Sequence, residues 1–434
     1  MWSVTKQQLA GLLGTAEQQW APIAERLARD AATPLEHTRA LTRLVHRHGV
    51  PAHLRVRFWL CTSGAGARQA AAPPGVYAHL VARAETVFAA LAAADGTDAN
   101  EATNDTVDTS TTSTTGAAVE RQRRKEGVQV SAAALACARQ IERDVARTAG
   151  GAGVQTVLRR VLGAYSCLNA RVGYCQAMHR VAALFLAHGA GEADAFWLLA
   201  STVERVLPRD YYTDGMAGVH ADGQTCATLA HTTLPRLAMR LDAAGVRLDA
   251  FLSAWLPALF IGTMPPAAVA RVLDLVYYDG SHMLFQVTLG LLHTLETDQQ
   301  QQPSSSAAGG TAAGGTGSGA AEDPEADAAS LMARVQGLPG TLTDARFAAV
   351  VFAVEIPPRE QIESLRAAFR TARATPATAD PERAPLAPAA TDTTGAGAAP
   401  STGRGTSSRA PPRIPPRLGV QRVAPSPPSS SPQT

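Results

Sequence analysis

The chain reads as an all-α protein, and three observations predict it. Between its low-complexity stretches the apolar residues recur at helical spacing. Helix-breaking Gly and Pro fall at the ends of those periods, as in Gly189-Ala190-Gly191 and at Pro208. No run of alternating apolar and polar residues long enough for a strand ladder appears.

The elements follow in order. Residues 156–170 place Val157, Leu158, Val161, Leu162, Tyr165 and Leu168 on one face. Residues 176–188 gather Met178, Val181, Leu184 and Phe185, and residues 192–207 gather Phe196, Trp197, Leu199 and Val203. Further helices are expected at 223–244, 248–261, 266–278, 280–296, 342–354 and 359–373, with Pro235 kinking the first or marking its restart. Trp59, Trp197 and Trp255 read as core.

Three stretches carry neither period. Residues 96–127 run from a Thr/Asp/Asn-rich segment into a charged cluster, residues 297–328 hold QQQQPSSSAAGGTAAGGTGSG, and the chain beyond 375 is Pro, Ala, Ser and Thr with scattered Arg. They are expected to be two disordered insertions and a disordered tail. The organisation expected is thus a helical segment over 1–44, one domain over 45–374, and the tail over 375–434.

Composition bounds the rest. Of 434 residues 46% are hydrophobic, enough for a large core, while the net charge of +2 demands neither nucleic acid nor an anionic membrane. No nucleic-acid partner is expected. The cysteines 61, 137, 167, 175 and 226 form no CxxC pair and no metal-ligand spacing, so no metal site is expected; Cys61, Cys167 and Cys175 read as buried thiols in a reducing compartment. The first twenty residues lack the apolar core of a secretory leader, and no stretch approaches the roughly 20 apolar residues of a membrane span. The best candidate, 250–264, is interrupted by Pro257. Asp222 reads as a helix N-cap rather than a metal carboxylate.

Two short motifs carry the chemistry. IERDVART sets Ile141, Asp144, Arg147 and Thr148 at helical spacing before a Gly-rich stretch, 148–153, that reads as a flexible loop. VGYCQAM places Gln176 after Gly173 and Tyr174 at a loop–helix junction, where glycine permits the backbone angle that aims a side chain. A guanidinium offsets charge on a transferring phosphoryl group, and a carboxamide orients an attacking water. From spacing alone, Arg147 reads first as a solvated charge paired with Asp144, and Gln176 as an ordinary residue near a helix start.

The surrounding series of motifs resembles the TBC domain family, the Rab GTPase-activating proteins. GVPAHLRVRFWLCTSGA (49–65) resembles the family's opening motif, IERDVART its arginine-finger motif and RRVLGAYSCLNARVGYCQAM its glutamine-finger motif. DAFWLLASTVERVLPRDYYTDGMAGVHAD, FLSAWLPALFIGTMPP, RVLDLVYYDGSHMLFQVTLGLL and IESLRAAFRTA then follow in family order. The resemblance implies a multi-helix domain of two packed helical subdomains. It implies a GTP-bound Rab-family small GTPase as partner, with Arg147 and Gln176 entering its site in trans. Ile141, Asp144 and Thr148 would seat the arginine, and Gly173 and Tyr174 would shape the glutamine turn. An arginine finger contributes roughly 10³–10⁵ in rate in such systems.

No cofactor of its own is implied: nothing matches GxxxxGK[ST], and GTP and Mg²⁺ would be held by the partner. The implied location is cytoplasmic, peripheral at endomembranes through the Rab. The rival reading is a catalytically weak Rab-binding scaffold, and a third is a plain helical scaffold. In the tail, RAPPRIPPR, Arg409 to Arg417, fits a polyproline-II ligand for a proline-recognition domain.

The sequence departs from the family pattern at four places. Ala149-Gly150-Gly151 stands where an aromatic and a proline are usual, a change that predicts a mobile arginine loop. Ala177 replaces a glycine, His179 an asparagine and Leu273 a tryptophan. His179 is expected to satisfy a helix-surface hydrogen bond. Arg55, Arg271 and Asp274 are expected to pair internally between helices.

Overall fold

A computed structural model describes residues 15–101, 130–301 and 324–374. The chain divides into two compact units, Met1–Thr378 and Ala379–Thr434, and all described residues lie in the first. Residues 1–14 of the expected N-terminal segment, 102–127 and 302–323 of the expected insertions, the tail beyond 374 and the Arg409–Arg417 motif lie outside the described residues.

Every element among the described residues is helical. Helices α1 (Ala16–Arg29), α2 (Arg39–His48), α3 (Arg55–Thr62), α4 (Ala65–Ala71) and α5 (Val76–Glu101) lead into α6 (Ala132–Ala146) and α7 (Gly151–Leu168). Next come α8 (Met178–Ala187), α9 (Glu192–Ser201), α10 (Ala217–Thr233), α11 (Pro235–Ala243) and α12 (Leu248–Trp255). The last are α13 (Pro266–Tyr278), α14 (Met283–Gln301), α15 (Pro324–Gly337), α16 (Asp344–Val351) and α17 (Arg359–Ala374).

Local chemistry sets the ends. Thr15 and Gln18 form a reciprocal capping box on α1, and Thr38 and Ser131 cap α2 and α6 through their side chains. Pro235 opens α11, so the expected helix over 223–244 is two helices broken at Leu234. Helix α12 stops at Trp255, short of the expected 261, and the chain passes through Leu259 and Phe260 in the left-handed region. Past Ser201 the helix of α9 widens into a π turn, Thr202–Val206, before Pro208 ends it.

Two expectations need correction. Helices α5, α14 and α15 run into the stretches expected to be disordered, covering residues 96–101, 297–301 and 324–328. One segment is also long and apolar enough to cross a membrane: Val76–Asp95 of α5, with mean hydropathy 1.2. Alanines account for much of that value. The helix buries a single stripe, Leu80, Ala84, Phe88 and Leu91, against its neighbours and carries Arg83, Glu85 and Asp95 elsewhere. That is the one-sided burial of a packed helix.

The helices form two packed groups. In the first, α7 is central and packs against α5, α6, α8 and α9, burying Leu158, Val161, Leu162 and Tyr165. In the second, α10 packs against α11, α12, α14 and α17. Helix α13 joins them through contacts with α3 and α14. Its Asp274 accepts bonds from Arg55 (Nη2, 3.2 Å), the Trp59 indole (2.9 Å) and the Val50 amide (3.0 Å). Arg271 turns instead to Asp344 and the carbonyl of His46. Trp59, Trp197 and Trp255 are buried, as is Leu273. Of the thiols expected inside, Cys61 is buried; Cys167, in the last turn of α7, and Cys175, in the turn between α7 and α8, are only partly so, whereas Cys226 is fully enclosed in α10.

Candidate functional site

The arginine motif forms the end of α6. Ile141 and Val145 anchor its inner face in the core, and Asp144, one turn before the end, is carried inward with them. Arg147 is the first residue past the helix, and its side chain stays 53% exposed. The Thr148 hydroxyl donates back to the Asp144 carbonyl at 2.7 Å and closes the turn.

The Gly-rich stretch is not the loop that its composition suggests. Helix α7 already begins at Gly151, so Gly151 to Gly153 form its first turn and only four residues connect α6 to α7. The Gln155 amide donates to the carbonyls of Ala146 and Thr148, 3.3 Å each, and ties the connection to α7. Those carbonyls lie at a helix C-terminus and in a turn, where the backbone lacks internal partners.

The glutamine motif occupies the turn between α7 and α8. Asn169 organises it, its side chain accepting from the Val172 amide at 3.2 Å and its carbonyl from the Gly173 amide at 2.7 Å. Gly173 sits at φ 60°, an angle that favours glycine, and a Cβ there would come 2.8 Å from the Cys137 sulfur and make that side chain move. Gln176 is exposed and precedes α8, which begins at Met178, two residues later than expected. Ala177 intervenes at φ 92°, ψ −28°, an angle at which a methyl group is crowded.

A single carboxylate joins the two motifs. Asp144, 1% exposed, accepts from Arg147 Nη2 at 2.5 Å and Gln140 Nε2 at 3.1 Å on Oδ1. On Oδ2 it accepts from the Tyr174 hydroxyl at 2.6 Å. Burial works to raise its pKa, but the bonds from Tyr174 and Gln140 and the neighbouring His179 and Arg147 prevail and hold it below the usual carboxylate value. Burial first, then the bond to Asp144, pushes the Tyr174 phenol far above its ordinary range. His179 Nδ1 lies 2.9 Å from the Tyr174 oxygen. The expected surface role of His179 is therefore corrected: α8 carries it inside, 3% exposed.

The structure thus brings Asp144, Arg147, Thr148, Gly173 and Tyr174 into two bonded turns, with Ile141 beneath and Gln176 exposed beside Tyr174 in sequence. Gln140, Gln155 and His179 were not singled out as site residues. Gln140 lies one helical turn before Asp144, a spacing that could have flagged it. Asp222 is not the expected cap: in the second turn of α10, it is fully buried in a two-pronged pair with Arg366 (2.7 and 2.8 Å) and bonded to Tyr211.

Comparisons with known proteins bear on the domain that carries these two turns. The family model of the Rab-GTPase-TBC domain matches residues 111–299, which contain both motifs. The chain is 35% identical over 178 residues to human small G protein signaling modulator 3, covering 39% of this chain and 24% of that protein. It is 37% identical over 139 residues to rat growth hormone-regulated TBC protein 1, covering 32% of this chain and 48% of that one. The matches therefore span less than half the length of either relative.

Among solved structures, the Chlamydomonas flagellar RabGAP TBC domain superposes with a TM-score of 0.53 at 22% identity, covering 81% of this chain and 97% of that one. The Ypt/Rab-GAP domain of Gyp1p gives 0.51 at 14% identity, covering 83% and 100%. The fold is that of an all-α TBC domain. Residues 111–299 thus match the Rab-GTPase-TBC domain family model, and the fold that holds them is that of the solved TBC domains.

Proposed function

We propose that this chain accelerates GTP hydrolysis by a Rab-type small GTPase, and so controls vesicle traffic. Arg147 offsets charge on the transferring phosphoryl group, and Gln176 orients the water that attacks it. The observation that carries this reading is the Asp144–Tyr174 bond, which locks the arginine turn to the glutamine turn while leaving Arg147 and Gln176 exposed. GTP and Mg²⁺ are held by the partner. The chain acts in the cytoplasm and reaches endomembranes through its Rab.

Single-turnover hydrolysis across a panel of GTP-loaded Rabs tests this. Wild type should accelerate at least one Rab, and Arg147→Ala and Gln176→Ala should each remove most of that acceleration while Rab binding persists. Acceleration surviving both substitutions would refute the two-finger mechanism. Because Arg147 is half exposed, its loss should leave thermal stability nearly unchanged.

A second reading, a Rab-binding scaffold without efficient catalysis, is favoured by one observation. Ala177 places a methyl group beside Gln176, where the family resemblance puts none. Binding of GTP-loaded Rab with no acceleration would select it.

A further inference from the structure

His179 is the one buried titratable side chain at this site that the finger chemistry leaves unused. It stands on α8, five residues past Tyr174, and its Nδ1 faces two groups: the Tyr174 oxygen at 2.9 Å and Asp144 Oδ2 at 3.5 Å. The directions of the bonds follow from counting protons. Tyr174 has one hydroxyl proton, and at 2.6 Å it is committed to the Asp144 carboxylate. His179 must then donate, so Nδ1 carries the hydrogen. The opposite tautomer would aim a lone pair at an anionic oxygen. Burial holds the imidazole pKa below its ordinary value, in keeping with a neutral ring.

The result is a directed chain: the His179 N–H donates to Tyr174, and the Tyr174 O–H donates to Asp144. Asp144 then holds Arg147. A hydroxyl that accepts a hydrogen bond becomes a stronger donor, so the chain tightens the grip on Oδ2. Gln140 holds Oδ1 independently of the arginine. When Arg147 leaves Oδ1 for a phosphoryl group, the carboxylate keeps a donor on each oxygen and need not turn. The arginine therefore departs from a fixed point and returns to it.

We propose that His179 is a positioning residue for Arg147, acting through Tyr174 and Asp144 to fix the carboxylate that aims the guanidinium during GTPase stimulation. This rests on the activator reading above and deepens it. It also gives a role to the histidine that replaces the family's usual asparagine.

Two measurements on the full chain test the role. In the free protein at neutral pH, long-range proton–nitrogen spectra of isotope-labelled histidine, assigned with His179→Asn, should show the Nδ1–H tautomer. Tyr174→Phe should shift that signal. An Nε2–H tautomer or a charged ring overturns the proposal whatever the activity.

In stimulated hydrolysis, His179→Leu should lower kcat about tenfold, the scale of a small misplacement of a reacting group, with KM for the GTP-loaded Rab unchanged. His179→Asn, whose amide can donate, should recover most of the loss. Combining His179→Leu with Tyr174→Phe should cost no more than the worse single change. If wild type accelerates hydrolysis and His179→Leu leaves kcat intact, this role alone fails. If wild type accelerates no Rab, the role falls together with the activator reading.

Discussion

The Tyr174 hydroxyl meets Asp144 Oδ2 at 2.6 Å across thirty residues of chain. This contact ties together two turns that lie far apart in the sequence. Arg147 and Gln176 themselves are both exposed, so the bond that joins their turns lies behind them. The carboxylate, buried and ionised, demands that its two fixed donors, Tyr174 and Gln140, stay in place when Arg147 departs.

Removing that donor should register in stability and in its pH dependence. Tyr174→Phe should cost about 1–3 kcal/mol, the usual penalty for leaving a buried acceptor short of a partner. The pH dependence belongs to Asp144, whose pKa is lower folded than unfolded. Its contribution is full near neutrality and starts to fade below about pH 4, where the unfolded carboxyl takes up its proton. It is lost as pH falls through the lower folded value. Denaturant titrations of wild type and Asp144→Asn should therefore converge in acid. A gap that widens on acidification would contradict the assignment.

Ala177 offers a sharper test because it breaks a backbone preference. At φ 92° an L-residue pays roughly 1–2 kcal/mol that glycine avoids. Glycine loses part of this to its greater freedom when unfolded, roughly 0.5–1 kcal/mol. Ala177→Gly should therefore stabilise by about 0.5 kcal/mol, and Ala177→Val, with a branched Cβ, should destabilise by well over that. Paired thermal melts read both signs. A stabilising valine would mean that the turn adopts another conformation in solution.

The sequence was informative where one face of a period or one ordered motif sufficed. The buried faces of α7, α8 and α9 and the bounds of α13 could be read from apolar spacing and from Pro and Gly. It misled where composition stood in for partners. Gly150 to Gly153 looked like a loop, yet Gln155 supplies the bonds that let α7 begin at Gly151. His179 is expected at the helix surface, but it is buried on α8 with Met178, Val181 and Phe185 and meets Tyr174. Asp222 resembled a cap because its partner, Arg366, comes from a helix 144 residues later. Pairings of that range leave no local mark.

That distant pair should matter more to stability than to chemistry. Arg366 and Asp222 are both fully buried; Tyr211 also bonds to Asp222, and Ser281 and Glu363 also accept from Arg366. Arg366→Met leaves an unpaired buried carboxylate and should cost about 3–5 kcal/mol. Adding Asp222→Leu removes the stranded charge and should recover much of the loss. If the double variant is no more stable than the single, packing of α17 rather than charge burial governs this contact. Chemical denaturation of the three proteins decides.

The last prediction concerns the connection after Arg147. The family resemblance places a proline where this chain has Gly150, and grafting it back is the obvious way to stiffen the arginine. The backbone forbids it: Gly150 sits at φ 133°, and proline is confined near −65°. Gly150→Pro should therefore destabilise the junction and lower stimulated kcat. Gln155 fastens the turn instead, through two bonds to the carbonyls on either side of Arg147. Gln155→Ala should lower kcat about fivefold by letting the guanidinium wander. Its effect on global stability should stay within about 1 kcal/mol, because neither carbonyl is enclosed deeply enough to lose access to water. Amide exchange at Ala149 and Gly150 should quicken in step with the loss of rate. Exchange unchanged in Gln155→Ala would show that the turn is held by its backbone and the Thr148 hydroxyl alone.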